Sequence, residues 1–298
     1  MQRADIKIGF GCNNHCLFCV QGDKRNFCVA KSKKEIYKSL EDSFKQGKKE
    51  VVFTGGEPCL HPDFFDLIKY AKKTGFKEIQ IQTNGRLFAY NDFCIKTIKA
   101  GVTQFSPALH GHNAKIHDFL TCAEGSFKQT IQGIKNLKKL NQYVLTNTVI
   151  TSTNAKFLPK IAQLLVALNV NQFQFAFIHA SGTAAKNKDW IIPKKSEIMK
   201  YIKKGLDIGI KAKKRVMTEA IPYCLMQGYE DCIAERIIPP SIVYDAGFVI
   251  NDYHQYRKDK GKLKGPNCPK CKYFKICEGP WREYPEIYGW DEFKPIKK

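Results

Sequence analysis

The sequence predicts an α/β protein built on a parallel sheet. Two observations carry this. Six short strand-like runs alternate with helical periodicity between residue 4 and about residue 212. Five unusual segments, rich in Cys, Gly, His and Asn, each directly follow one of those strands. A third observation, the grouping of cysteines, divides the chain into a longer stretch, 1–215, and a shorter cysteine-bearing one, 216–298.

Residues 4–10 alternate as a strand and run into Gly11-Cys12-Asn13-Asn14-His15-Cys16-Leu17-Phe18-Cys19. A helix is expected over 33–47 from Ile36, Leu40 and Phe44, with Gly47 ending it. Val51 to Phe53 is a second strand, ending in Thr54-Gly55-Gly56-Glu57-Pro58. A helix over about 61–74 follows, then a strand over 79–82 that ends in Thr83-Asn84-Gly85. A helix at about 91–100 leads to a fourth strand, Phe105 to Leu109, and to His110-Gly111-His112. A long helix starts after Gly125-Ser126 and runs to about Leu140. Strands at 144–150 and 173–178, the latter ending in His179-Ala180-Ser181-Gly182, with helices at about 155–168 and 195–212, complete six units. Six are too few for an eightfold barrel, so an open, partial (β/α)6 barrel fits, with a doubly wound open sheet as the alternative on periodicity alone. Past residue 215 the rhythm breaks into Pro-rich and charged stretches.

Composition narrows the function. The chain has 49 Lys+Arg against 28 Asp+Glu, a net charge of +21. Only seven of the basic residues are Arg, the better reader of phosphates and bases, and the lysines fall in scattered pairs that read as solvated helix faces. Nucleic acid is therefore not the expected partner. No run of about 18 apolar residues exists, so no membrane span is expected. The segment after Met1 has no signal-like apolar region, which makes a cytoplasmic location the expectation. Twelve cysteines in such a setting point to metal or redox sites rather than disulfides.

Cys12, Cys16 and Cys19 are spaced C-x3-C-x2-C with an aromatic, Phe18, before the last. Three thiolates on a [4Fe–4S] cluster leave one iron without a protein ligand, the open position that a reactive site keeps. A zinc knuckle completed by His15 or a distant ligand is the alternative. This motif, together with Gly55-Gly56-Glu57-Pro58 at the end of the second strand, resembles the radical S-adenosylmethionine (SAM) superfamily, and the resemblance covers nearly the whole chain. It implies a TIM-like partial barrel. It also implies a cluster on Cys12, Cys16 and Cys19 whose open iron chelates SAM, and reductive cleavage of SAM to methionine and a 5′-deoxyadenosyl radical. Phe18, Gly55, Gly56, Glu57 and Pro58 are implied as cofactor-binding residues, with Glu57 accepting from the SAM amino group. Asn84, Ser106 and Asn147 resemble further SAM contacts. An electron donor such as flavodoxin or ferredoxin is implied as a partner.

A second group, Cys268, Cys271 and Cys277, has the metal-ligand spacing C-x2-C-x5-C. Cys224, after Ile221-Pro222-Tyr223, is the preferred fourth ligand, and Cys232 the other choice. The family resemblance implies an auxiliary [4Fe–4S] cluster in a twitch or SPASM-like domain; Trp281 stands where the longer SPASM pattern has a cysteine. A zinc ribbon is the alternative. His110, His112 and His117 crowd one strand end, where a structural role is expected. Cys28, Cys59, Cys94 and Cys122 are isolated and are assigned nothing. The expected activity is hydrogen abstraction from a peptide or small molecule, in the manner of a maturase or dehydrogenase. The alternatives are a nucleotide-modifying enzyme resembling the cyclase of molybdenum-cofactor synthesis, and a non-catalytic iron–sulfur or zinc protein binding nucleic acid.

Overall fold

Alternation dictates the sheet. In β1 (Arg3–Gly9), Ala4, Ile6 and Ile8 are buried while Arg3, Asp5 and Lys7 are only partly so. One face of the strand is therefore apolar and the other polar. The same alternation recurs in β3 (Glu78–Thr83), β5 (Tyr143–Ile150) and β6 (Gln172–Phe177). The apolar faces pack against helices; the polar faces turn to the concave side. The structure, a computed structural model, describes residues 2–297. Met1 and Lys298, the outermost residues of the two stretches drawn from the sequence, lie outside the described residues.

The remaining strands are β2 (Glu50–Gly55), β4 (Gln104–Pro107), β7 (Arg215–Glu219), β8 (Ser241–Tyr244) and β9 (Val249–Ile250). They form one nine-stranded sheet in the order β7-β6-β5-β4-β3-β2-β1-β8-β9. Every pairing is parallel except β8 with β9. The sheet is not closed, as a partial barrel requires.

The helices follow the strands: α1 (Lys33–Lys45), α2 (Phe64–Thr74), α3 (Asn91–Ala100), α4 (Ala114–Thr121), α5 (Ser126–Lys139) and α6 (Leu158–Ala167). Two single-turn pieces, α7 (Thr183–Lys186) and α8 (Lys188–Ile191), precede α9 (Lys195–Lys211). Two more short helices, α10 (Tyr253–Tyr256) and α11 (Tyr284–Tyr288), lie in the last stretch. Helix α1 starts at a capping box, in which Ser32 and Glu35 satisfy each other's backbone N–H. Helix α2 ends on Gly75 at φ 107°, a left-handed position that suits glycine.

The six expected units are present within a few residues. The sheet also goes further. The boundary drawn at 215/216 falls inside β7, and β8 joins the opposite edge beside β1. The last stretch therefore supplies sheet strands as well as cysteines.

Candidate functional site

The cysteine loop leaves β1 at a register shift between Lys7 and Gly9, where an irregularity re-aims the chain. Gly56 N donates to Gly9 O at 2.8 Å and Glu57 N to Gly11 O at 2.8 Å. A Cβ on Gly56 would lie 2.2 Å from Gly11 O, and one on Gly55 2.2 Å from Gly9 O. Both glycines are thus needed for two loop backbones to touch. On its other side the loop is tied to the end of α4, with His15 N donating to Thr121 O at 2.8 Å and Leu17 N to Leu120 O at 3.0 Å.

Two arginines that sequence reasoning passed over complete the clamp. Arg86 donates to Asn13 O and, at 2.9 Å, to Asn14 Oδ1. Arg25 donates to Asn14 O at 3.0 Å. Asn187 Nδ2 donates to Leu17 O at 2.8 Å, and Thr183 N to Cys19 O at 2.9 Å. No local pattern marks these residues, because each acts across a long sequence separation.

Cys12, Cys16 and Cys19 all line one cavity of about 880 Å³ on the concave side of the sheet. Burial pushes all three thiols up, and each of Cys12 and Cys19 adds to the shift at Cys16. A cationic group at the site reverses that penalty, since metal-bound thiols are deprotonated. The Asn14 backbone N–H already points at Cys12 Sγ, 3.4 Å away. Gly55, Gly56, Asn84, Ser106 and Asn147 line the same cavity, as does His110. Asn147 Oδ1 is buried with no hydrogen-bond partner, an acceptor left for a ligand.

Phe18, Glu57 and Pro58 stand behind the cavity wall instead. Glu57 is 4% exposed, and its carboxylate accepts from Thr83 Oγ1 at 2.7 Å, Asn84 N at 2.6 Å and Cys59 N at 3.1 Å. It thereby fastens the end of β2 to the end of β3. Burial pushes its carboxyl up against those three bonds. Phe18 packs edge-on to His110, ring centres 4.5 Å apart.

Two of the three histidines, His110 and His117, are linked by a hydrogen bond. His117 Nδ1 accepts from His110 N at 3.1 Å, and His110 Nδ1 accepts from Val149 N at 3.2 Å. Burial holds His117 down to about 4 and His110 well below its ordinary value, so both are neutral. His112 is only partly buried and lies tilted against Phe157, ring centres 4.9 Å apart.

The second cysteine group encloses a small space of about 30 Å³. Cys224, Cys268, Cys271 and Cys277 line it, with Pro222, Phe274, Pro280 and Phe293 among the apolar walls. Cys232 does not; it is buried in the apolar core. Burial, with the three other cysteines as neighbours, pushes the Cys224 thiol up to about 12. Gly265 N donates to Cys268 Sγ at 3.2 Å. Among the described residues, no three His, Cys, Asp or Glu side chains converge as the ligands of a single ion would; both cysteine groups surround space. The segment is anchored by Arg257, which grips Glu278 with two bonds of 2.6 Å, and by Lys262 on Glu235 at 2.7 Å. Trp281 stacks on His179 at 4.2 Å and donates to Phe177 O at 3.3 Å, which joins the segment to the end of β6.

Comparisons with known proteins agree with this geometry. The profile of the Radical SAM superfamily matches residues 6–165. An AdoMet-dependent heme synthase of Methanosarcina barkeri is 27% identical over 173 residues, 58% of this chain and 49% of that protein. A probable GTP 3′,8-cyclase of Saccharolobus solfataricus is 28% identical over 203 residues, 67% of this chain and 64% of that protein. The matches thus span about half to two-thirds of these relatives' length. Streptococcus suis SuiB bound to precursor peptide SuiA superposes with a TM-score of 0.71 at 17% identity, covering 93% of this chain and 71% of that one. The structure of anSMEcpe with bound AdoMet and Cp18Cys peptide gives 0.68 at 17%, covering 94% and 89%. At these identities the two structures establish the fold.

Proposed function

The chain belongs to the radical SAM superfamily, and from that premise we propose that it abstracts hydrogen from a peptide or small molecule, as maturases and dehydrogenases do. Membership implies a [4Fe–4S] cluster and SAM. The carrying observation is that three thiols and the glycine, asparagine and serine residues in or just after strands β2 to β5 line one cavity. When bound, the reduced cluster supplies an electron that splits SAM into methionine and a 5′-deoxyadenosyl radical. Cys12, Cys16 and Cys19 would hold the cluster. Gly55 and Gly56 bring the backbone of β2's end against the cysteine loop, while Asn84, Ser106 and Asn147 offer polar contacts to SAM. Arg25 and Arg86 keep the loop from moving, and Glu57 fixes the spacing of β2 and β3.

Cys224, Cys268, Cys271 and Cys277 would hold an auxiliary [4Fe–4S] cluster. Four thiols around one apolar pocket support this, and support Cys224 over Cys232. A fully ligated cluster suits electron relay from the substrate, with a flavodoxin- or ferredoxin-like donor serving the first. The 216–298 stretch would then act as a twitch-like unit that is nonetheless continuous with the sheet. Among the described residues no helix is long and apolar enough to cross a membrane, and we assign the protein to the cytoplasm.

A nucleotide-modifying reaction is the second reading, favoured by the +21 charge and the likeness to probable GTP 3′,8-cyclases. A non-catalytic role is disfavoured by the cavity itself. Anaerobic reconstitution with iron and sulfide, then SAM and dithionite, tests the assignment. Release of 5′-deoxyadenosine is expected; its absence from the reduced, reconstituted protein removes the enzyme reading.

A further inference from the structure

The outer surface and the large cavity carry opposite signatures. The chain has 49 Lys+Arg, yet among the described residues no lysine lines the cavity. Its charged lining is four arginines and four carboxylates. Arg3 is paired with Asp5, Arg257 with Glu278, and Arg25 is held on the cysteine loop by Asn14 O. Arg215 at the edge strand remains, against Glu50, Glu78 and Glu219, none of which has an ion-pair partner among the described residues. A site for a nucleoside triphosphate needs fixed cations. Here the unpaired carboxylates, Glu50, Glu78 and Glu219, outnumber the two arginines without a carboxylate partner, Arg25 and Arg215.

The glutamines on the concave wall show what it does present. Glu78 is a carboxylate at the foot of β3, and when ionised it only accepts. Gln104 must therefore turn its Nε2 to Glu78, 2.6 Å away. That leaves Gln104 Oε1 to accept from Gln80 Nε2 at 2.9 Å. The free end of the relay is then Gln80 Oε1, an acceptor. Across the cavity Gln174 gives its Nε2 to Glu219 at 2.7 Å and likewise keeps its Oε1 free. The unpartnered Asn147 Oδ1 lies on the same wall. Gln82 is turned the other way, its Oε1 taking the Thr54 hydroxyl at 3.0 Å. Carboxylates thus set the amide orientations, and the wall is rich in acceptors.

We propose that the barrel cavity takes a substrate segment rich in hydrogen-bond donors and without negative charge, a neutral or basic peptide, and that the Glu78–Gln104–Gln80 relay and Gln174 select it. Acceptor-only groups such as phosphate and carboxylate meet unpaired acceptors there and are rejected. This rests on the radical SAM reading above and narrows its substrate class.

The test uses the reconstituted full-length protein with SAM and a library of short random peptides at near-physiological ionic strength, where surface charge is largely screened. The basic surface on its own would draw acidic peptides. The expected eluate is instead enriched in Lys+Arg over Asp+Glu by about fivefold, the scale of one ordinary hydrogen bond. Glu78→Gln removes the group that orients the relay, and Gln80→Leu removes its free acceptor. Each should bring the ratio toward parity at unchanged iron content. Acidic or unbiased peptides from the wild type, a bias untouched in both variants, or saturable displacement of the peptides by GTP overturns the proposal. Release of 5′-deoxyadenosine is read on the same preparation. Its loss removes the radical SAM reading, whereas cleavage without basic enrichment removes only the substrate class.

Discussion

The two cysteine sites differ in number of thiols, in room and in polarity. The first sets Cys12, Cys16 and Cys19 at the mouth of a cavity of about 880 Å³ walled by Gln, Glu, Asn and Arg. The second sets four thiols around about 30 Å³ walled by Pro and Phe. A site that leaves one metal position open, beside space for a substrate, is built for chemistry on that substrate. On the proposed reading, the second, with four thiols in an apolar shell, would fill every position of a cluster and suit electron transfer. The support also differs. Backbone and Arg contacts from several strand ends hold the first loop, while buried ion pairs, Arg257–Glu278 and Lys262–Glu235, hold the second segment.

That contrast can be broken most sharply by deleting one thiol at each site. Cys16→Ala should bring 5′-deoxyadenosine release down to the level of a protein-free control. Cys271→Ala should keep SAM cleavage while product formation is lost, as read by chromatography of the same reaction. Equal loss of cleavage in both would remove the division of labour. Next in size is Gly56→Ala, whose Cβ meets Gly11 O at 2.2 Å. It should cost about 3 kcal/mol and lower the iron bound at the first site, measured per chain, while the second site stays filled.

Acid should also act on the first site's side of the molecule. Unfolded, the His117 imidazole takes a proton near its ordinary value; folded, burial delays protonation to about 4. The unfolded chain therefore binds the extra proton first. The stabilisation from neutral His117 is complete above the ordinary imidazole range and is lost as pH falls through about 4, up to about 3 kcal/mol. Thermal unfolding across that range should show the loss, and His117→Asn, which keeps an acceptor but does not titrate there, should flatten it. The smallest effect belongs to Cys232→Ala. Its thiol packs in the core away from the four-cysteine pocket, so iron content should not change and stability should fall by about 1 kcal/mol.

Local chemistry made much of this legible in sequence. The Cys12–Cys19 loop, Gly55-Gly56 and Thr83-Asn84 are contiguous motifs at strand ends, and the fold gathers them on one cavity. The polar concave wall is visible as well, since Glu78-Ile79-Gln80-Ile81-Gln82 alternates strictly. What stayed hidden depends on distant contacts. Strand β8 is only four residues long and follows Pro239-Pro240, so no periodicity announces its pairing with β1. Strand β7 begins where the β/α alternation stops in the sequence, and its pairing with β6 is what identifies it. Arg25 and Arg86 become clamps only when the cysteine loop folds back onto them. Glu57 is expected from its motif to face SAM, and the three donors that the chain itself gives its carboxylate could not be read from that motif. The choice between Cys224 and Cys232 likewise rests on which of them the turn after β7 carries to the C-terminal cysteines.

The central claim is that one site is open to SAM and the other is closed. Electron paramagnetic resonance of the dithionite-reduced, reconstituted protein, recorded with and without SAM, tests it directly. The account predicts about eight irons per chain in two [4Fe–4S] clusters, with SAM changing the signal of only one and Cys16→Ala abolishing that response. Four irons with one zinc, or a SAM response from both signals or from neither, would contradict it.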